Sequence, residues 1–273
     1  MTHPCFNKHA HASYGRMHLP VAPACNILCG YCDRKFSCVN ESRPGVTARV
    51  IAPAEALKLA IKAVAAMPHI SVAGIAGPGD PLANPAETLA TLKLVHETLP
   101  NLHLCLSTNG LNLPQHIDEL YELGLRFLTV TVNAVEPETG SRIYRHVIER
   151  GRKLTGTMGA ALLRDRQFEG ITRAKALGMT VKINTVIVPG INDWQAPQIA
   201  CEMNALGADL MNCIPMMPVK DTQLAAYGEP SPETMREMRA KAGQWLPQMR
   251  HCGRCRADAL GLLTDRFALT DLR

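Results

Sequence analysis

The sequence predicts an α/β fold, a partial (β/α)6 barrel with N- and C-terminal extensions. Apolar β-type runs at 17–22, 70–76, 102–107, 127–132, 180–187 and 210–214 alternate with helical patterns at 53–66, 85–98, 115–123, 161–177 and 196–206. The runs are nearly continuous in apolar residues, which is how parallel strands buried on both faces and joined by helical crossovers read. A loop with three cysteines follows the first run, at the C-terminal strand end where such barrels gather their ligands.

Each element has its own punctuation. Several helical segments open on proline and several stop near Gly124, Gly178 or Gly207, the usual termini of helices. Residues 1–15 are His-rich and irregular. Residues 145–159, rich in Gly, Thr and Arg, read as a mobile loop able to close over a site. After residue 224 come a Pro-rich link, a helix and the pair Cys252 and Cys255. The expected organisation is an extension over 1–15, the barrel over 16–224 and a second extension over 225–273.

Composition narrows the classes. A chain of 273 residues with 47% hydrophobic content and a mean hydropathy of −0.03 describes a globular protein. No apolar run approaches the ~20 residues of a membrane helix, and the N-terminus lacks a signal peptide's apolar stretch. Ten cysteines in such a chain point to reduced thiols and metal binding, and to the cytoplasm. The net charge of +5 is uneven: residues 1–32 hold Lys8 and Arg16 and no acid. Residues 236–256 hold six basic side chains against Glu237. With aromatics at 4% and no stacking platform, nucleic acid is not the expected partner. Both basic stretches carry cysteines, and cations stabilise anionic iron–sulfur clusters.

The run Ala24-Cys-Asn-Ile-Leu-Cys-Gly-Tyr-Cys-Asp33 is the most informative stretch. Cys25, Cys29 and Cys32 are spaced to hold three irons of a four-iron cluster, leaving the fourth open for a ligand. A zinc loop is the alternative, although zinc prefers four ligands, commonly in two C-x2-C or C-x2-C/His pairs. The spacing resembles that of the radical S-adenosylmethionine (SAM) enzymes. In them the amino and carboxylate groups of SAM chelate the open iron, and one electron yields methionine and a 5′-deoxyadenosyl radical.

Seven cysteines lie outside this triad. Cys252 and Cys255 form a chelating pair that needs a distant partner; Cys5 is a candidate from the other terminus. A thioredoxin-like role for the pair lacks the expected strand and helix context. Cys105 by itself reads first as a buried apolar thiol, and His18 as a packed strand histidine. Only gathered around one barrel mouth do His18, Cys38 and Cys105 make a mixed cluster site. Cys201 and Cys213 read as structural.

The triad, Cys38-Val-Asn-Glu-Ser-Arg-Pro-Gly45, Ala76-Gly-Pro-Gly-Asp-Pro-Leu82, Ser107-Thr-Asn-Gly110 and Cys252-Gly-Arg-Cys-Arg-Ala-Asp-Ala259 together resemble the NifB family. Its members are radical SAM maturases of nitrogenase cofactor assembly, and the likeness is to the stand-alone core form. The resemblance implies a barrel of the radical SAM type with cluster-binding extensions. It also implies a reaction that fuses two [4Fe-4S] clusters and inserts a carbide derived from SAM, giving an [8Fe-9S-C] precursor. One SAM methylates a cluster sulfide; a radical from a second SAM abstracts hydrogen from that methyl. The implied ligands are His18, Cys38 and Cys105 for one substrate cluster, and Cys5, Cys252 and Cys255 for the other. The implied partners are SAM, cluster donors and downstream cofactor carriers or scaffolds, with neither nucleic acid nor membrane.

For SAM, Gly77-Pro-Gly-Asp80 leaves the backbone unhindered beside a ligand. It resembles the superfamily's glycine-rich motif, with Asp80 where Glu is more usual. Tyr31, Gly77, Gly79 and Asp80 are joined as candidates by Thr108 and Asn109 at a strand end. Asn184, inside an apolar strand, is either a ligand or a satisfied core amide. Glu41 and Arg43 are candidates for proton removal and anion contact, with a surface ion pair as the alternative. Two competing functions stay open: another radical SAM enzyme with auxiliary clusters, such as a molybdopterin-precursor cyclase, and a non-catalytic iron–sulfur carrier.

Overall fold

The computed structural model of the protein describes residues 2–33 and 49–272. In chain order its elements are β1 (Gly15–His18), β2 (Ile27–Cys29), α1 (Pro53–Ala66), β3 (Ile70–Ile75), α2 (Pro85–Thr98), β4 (His103–Thr108), α3 (Leu113–Glu122) and β5 (Leu125–Thr131). Then follow α4 (Pro137–Ile143), β6 (Tyr144–Glu149), β7 (Arg152–Leu154), α5 (Gly156–Ala176), β8 (Thr180–Ile187), α6 (Ala196–Ala205), β9 (Leu210–Pro215), α7 (Pro232–Ala242) and β10 (Leu260–Gly261).

Six parallel strands run β1-β3-β4-β5-β8-β9, and β10 adds antiparallel to the outer edge of β1. This is the expected partial barrel. Alternation within the strands decides what each face does. Met17, Leu104, Leu106, Leu128, Val130, Val181 and Ile183 pack outward in the main core with α-helical residues such as Ala60, Leu92 and Ile117. Their neighbours Arg16, His18, Gly74, Cys105, Ser107, Thr129, Lys182 and Asn184 line the interior. A barrel of this size is normally filled with branched apolar side chains. Here the inward set is small or polar, so the interior is a chamber.

Residues 2–14 lie across the N-terminal strand ends. Thr2 Oγ1 bonds His103 Nε2 at 2.8 Å, Ser71 Oγ donates to the Thr2 carbonyl at 2.9 Å, and His3 packs on Phe127. The segment after α7 reaches the same end, since Met211 N donates to the Pro247 carbonyl and Met249 N to the Met211 carbonyl. Both extensions therefore close the chamber opposite the triad loop.

Two expectations are corrected. The first strand is Gly15–His18 rather than 17–22; Pro20, which has no N–H to give a ladder, stops it, and beyond it Ala22 makes an isolated bridge to Pro78. Residues 145–159 are not a loop. They form most of the β6–β7 hairpin and the first turn of α5, and β6 pairs antiparallel with β2. This second sheet, of order β2-β6-β7, carries its own core of Ile27, Cys29, Tyr31, Ile143, Tyr144 and Val147.

Candidate cluster and cofactor site

The triad loop is braced on three sides. Cys29 ends β2 opposite Tyr144, and Cys32 N donates to the Cys29 carbonyl at 3.0 Å. Gly30 N donates to the Ile143 carbonyl at 2.7 Å, while the Gly30 carbonyl accepts from Leu224 N at 2.9 Å. A Cβ on Gly30 would stand 2.9 Å from Leu224 Cγ, so only glycine fits without movement. Tyr31 is fully buried in the second core, and its hydroxyl accepts from Asn133 Nδ2 at 2.8 Å. Cys29 is buried, whereas Cys25 and Cys32 are partly exposed.

The glycine-rich loop grips the triad through the backbone. Gly79 N donates to the Ala22 carbonyl at 2.6 Å and Asp80 N to the Ala24 carbonyl at 2.8 Å. A Cβ on Gly79 would lie 2.1 Å from the Ala24 oxygen, an overlap with backbone that no side chain relieves. Asp80 is 4% exposed; its carboxylate accepts from Asn109 N at 2.6 Å, Leu82 N at 2.9 Å and Thr108 Oγ1 at 3.0 Å. Burial raises its pKa above the usual carboxylate range despite these donors.

Asp80 and Thr108 are thus bonded to each other and hold Asn109 in place. The Asn109 amide donates to Asn26 Oδ1 at 2.7 Å and approaches Cys25 Sγ at 3.8 Å. Asn26, inside the C-x3-C segment, escaped the sequence reading. Its Nδ2 is buried and has no partner among the described residues, a free donor next to Cys25 in the chain. Three thiols on one braced loop, a backbone approach only glycine permits and an orphaned amide fit a four-iron cluster with one open iron and a ligand bound to it.

Below this loop the barrel interior holds a cavity of about 610 Å³, its open mouth included. His18, Cys105, Cys5, Cys252, Cys255 and Asn184 all line it. His18 and Cys105 stand in register on either side of Gly74, which pairs with both. A Cβ on Gly74 would meet His18 Cδ2 at 3.3 Å and Cys105 Cβ at 3.7 Å, so the missing side chain is the gap between these two side chains.

His18 Nδ1 faces the Arg256 carbonyl at 2.9 Å, which assigns the proton to Nδ1 and leaves the Nε2 lone pair for a metal. That carbonyl is steadied in turn: Arg256 Nε and Nη2 bond the carboxylate of buried Asp258 at 2.7 and 2.9 Å. Burial, with Arg16 nearby, lowers the His18 pKa to about 4.

Deeper in the cavity, burial pushes the Cys5 thiol up to about 12. Arg16, 2% exposed, donates from Nε and Nη2 to Cys255 Sγ, both at 3.3 Å, and from Nη1 to the Gly261 and Leu262 carbonyls at 2.6 Å. Among the described residues Arg16 has no carboxylate. Lys182 is also buried here, its ammonium 5.1 Å from the centre of the Phe6 ring. Asn184 Oδ1 accepts from Asn212 Nδ2 at 3.3 Å.

Cys38, Glu41 and Arg43 lie outside the described residues. Among the described residues no three His, Cys, Asp or Glu side chains converge on one metal ion. Cys213 belongs to the helix-side core and Cys201 to α6, both away from the cavity. The sequence reading missed Arg16, Gly74 and Asp258. The signal for Arg16 was its position two residues before His18, on the same strand face.

The Radical SAM superfamily model matches residues 19–200. The chain belongs to the radical SAM superfamily. Its likeness to individual proteins is narrower still, because over 96% of its length it is NifB-like. It is 46% identical to the FeMo cofactor biosynthesis protein NifB of Chlorobaculum tepidum over 263 residues, 62% of that protein. It is 46% identical to the one from Klebsiella pneumoniae, covering 57% of it, and 42% identical to that of Azotobacter vinelandii, covering 53%. The chain thus spans little more than half the length of these curated relatives.

Solved structures agree on the fold. Streptococcus suis SuiB bound to S-adenosylmethionine superposes with a TM-score of 0.62 at 12% identity, over 88% of this chain and 52% of that one. Native anSMEcpe with bound AdoMet gives 0.58 at 16% identity, over 87% and 65%. No helix among the described residues is long and apolar enough to cross a membrane.

Proposed function

We propose that the protein is a radical SAM enzyme of nitrogenase cofactor biosynthesis. It joins two [4Fe-4S] substrate clusters with one additional sulfide and inserts a carbide derived from SAM, giving the [8Fe-9S-C] precursor. The observation that carries this reading is the donor set of the barrel. His18, Cys105, Cys5, Cys252 and Cys255 face one cavity in addition to the triad. A small organic substrate would need no such ring of thiols and imidazole. An iron–sulfur carrier would need neither the glycine-rich loop nor its contacts with the triad.

The group held by Cys25, Cys29 and Cys32 supplies one-electron reduction of SAM, which yields the 5′-deoxyadenosyl radical. The rest of the site is the chain's own work. Asp80 fixes Thr108 and Asn109, and Asn109 with Asn26 presents amide groups beside Cys25. His18, Cys105 and Cys38 take one substrate cluster near the middle of the barrel. Cys5, Cys252 and Cys255 take the other at the closed end. Each set offers few protein ligands, which suits clusters that must leave as one product. One SAM gives its methyl to a substrate sulfide, and a second gives the radical that removes hydrogen from that methyl. Glu41 and Arg43 serve proton removal and anion contact. Cluster donors and downstream carrier or scaffold proteins supply and collect the metal, in the cytoplasm.

The test supplies SAM and reductant to anaerobically reconstituted protein and asks whether its product activates cofactor-deficient nitrogenase. Roughly twelve irons per chain are expected, three clusters of four. Cys25→Ala abolishes deoxyadenosine formation, whereas Cys105→Ala spares SAM binding and loses product. Iron near four per chain, or normal product from Cys105→Ala, overturns the reading.

A further inference from the structure

One buried group in the chamber has no role in that reaction. His3 is 1% exposed, its ring edge-on to Phe6 and tilted against Phe127, with both centroids 4.7 Å away. It lines the cavity with Cys5, Cys252 and Cys255. Its Nδ1 accepts a hydrogen bond from the Cys5 amide at 3.2 Å. A nitrogen that accepts carries no proton, so the proton of this imidazole sits on Nε2. Nε2 is buried and has no partner among the described residues. A buried N–H without an acceptor is costly, and native structures keep few of them.

His18 is set the opposite way. Its Nδ1–H donates a hydrogen bond to the Arg256 carbonyl, leaving a lone pair on Nε2. Two histidines in one cavity are therefore held in opposite tautomers by the backbone groups beside them. One is ready to ligate a metal, and the other to donate.

We propose that His3 donates a hydrogen bond through Nε2–H to a sulfur of the substrate cluster held by Cys5, Cys252 and Cys255, as a positioning residue and not as a ligand. The proposal rests on the two-cluster reading above. The sulfurs of a thiolate-ligated cluster carry negative charge, and N–H donors to them stabilise the reduced form and raise the reduction potential. Arg16 does the same from the other wall, through Cys255. The aromatic box of Phe6 and Phe127 fixes the direction of the His3 ring.

Two measurements test this. In metal-free, ¹⁵N-labelled protein, nitrogen shifts should show His3 protonated on Nε2 and His18 on Nδ1; His3 protonated on Nδ1 overturns the proposal. In reconstituted protein, His3→Phe fills the aromatic box without a donor, and His3→Leu stands in if that variant misfolds. The expected result is wild-type iron content with the potential of one non-triad cluster moved to more negative values, partly restored in His3→Gln. Loss of about four irons would make His3 a ligand, and an unmoved potential would make it packing alone; either overturns the proposal. Should the wild type itself hold only about four irons, the two-cluster reading fails first and takes this proposal with it.

Discussion

The guanidinium of Arg16 rests on the sulfur of Cys255, with Nε and Nη2 each 3.3 Å from Sγ. Among the described residues this is the only side-chain partner of a nearly buried cation. Its other bonds go to two backbone carbonyls on and beside β10. A buried positive charge is tolerated only when compensated. On the proposed reading this sulfur is a metal-bound thiolate of an anionic cluster, which supplies that compensation.

Replacing Arg16 with leucine removes that compensation and the ties to Gly261 and Leu262. The expected outcome is loss of about one cluster's four irons after reconstitution, with the triad still cleaving SAM. The metal-free fold should lose about 1–3 kcal/mol from the unmade carbonyl bonds, read by urea denaturation. Arg16→Lys keeps the charge without the fork and should recover only part of the iron. Full iron in Arg16→Leu would show that Cys255 needs no such support.

Gly74 separates His18 from Cys105, and the room beside it is small. Gly74→Val places two methyl groups where a substrate cluster is expected. Product should fall at least tenfold and iron by about four, while deoxyadenosine still forms at the triad. Overpacking itself should cost about 1–3 kcal/mol. Wild-type iron and product in this variant would move the mixed-ligand site elsewhere.

Asp80 holds Thr108, Asn109 and Leu82 through one carboxylate. Asp80→Ala leaves the Asn109 amide unpaired and should cost about 2–4 kcal/mol, with SAM affinity lowered at least tenfold in a binding titration. Thr108→Val removes one of these bonds and should cost about 1 kcal/mol. Equal and small effects of both changes on SAM affinity would mean that the Asp80 network does not position the ligand.

Cys213 is fully buried in the helix-side core, its Sγ 3.4 Å from Gln248 Oε1, and burial raises its pKa to about 12. The folded chain keeps this proton where the unfolded chain, titrating near 9.0, releases it. The unfolded state therefore binds fewer protons between about pH 9 and 12, and stability falls as pH rises through that window, by up to about 1.4 kcal/mol per pH unit. Cys213→Ala should flatten this alkaline slope in urea melts. Folded protein at pH 8 should also leave this thiol unalkylated, and rapid labelling would contradict its burial.

Much of the architecture was legible. The helical patterns at 53–66 and 85–98 and the strand at 180–187 match α1, α2 and β8 end to end, because proline at the start and apolar periodicity are local signals. The hairpin β6–β7 was not legible. Its stretch, rich in Gly, Thr and Arg, reads as a mobile loop, and its stabilising partner is β2, more than a hundred residues earlier. Tertiary pairing overrode a weak local pattern there. Cys5, Cys252 and Cys255 were read as one group from the resemblance; the chain alone offered only the C-x2-C pair.

From the chain itself came the alternation of helices and parallel strands, the triad and its open coordination, for these depend on neighbours in sequence and on residue type. Folding alone decided which side chains share the chamber, among them Arg16 with a sulfur 239 positions away and the rings of His3 and His18. The reason is physical. A strand presents alternate residues to opposite faces, and only curling the sheet and closing it with both termini turns one of those faces into a common interior.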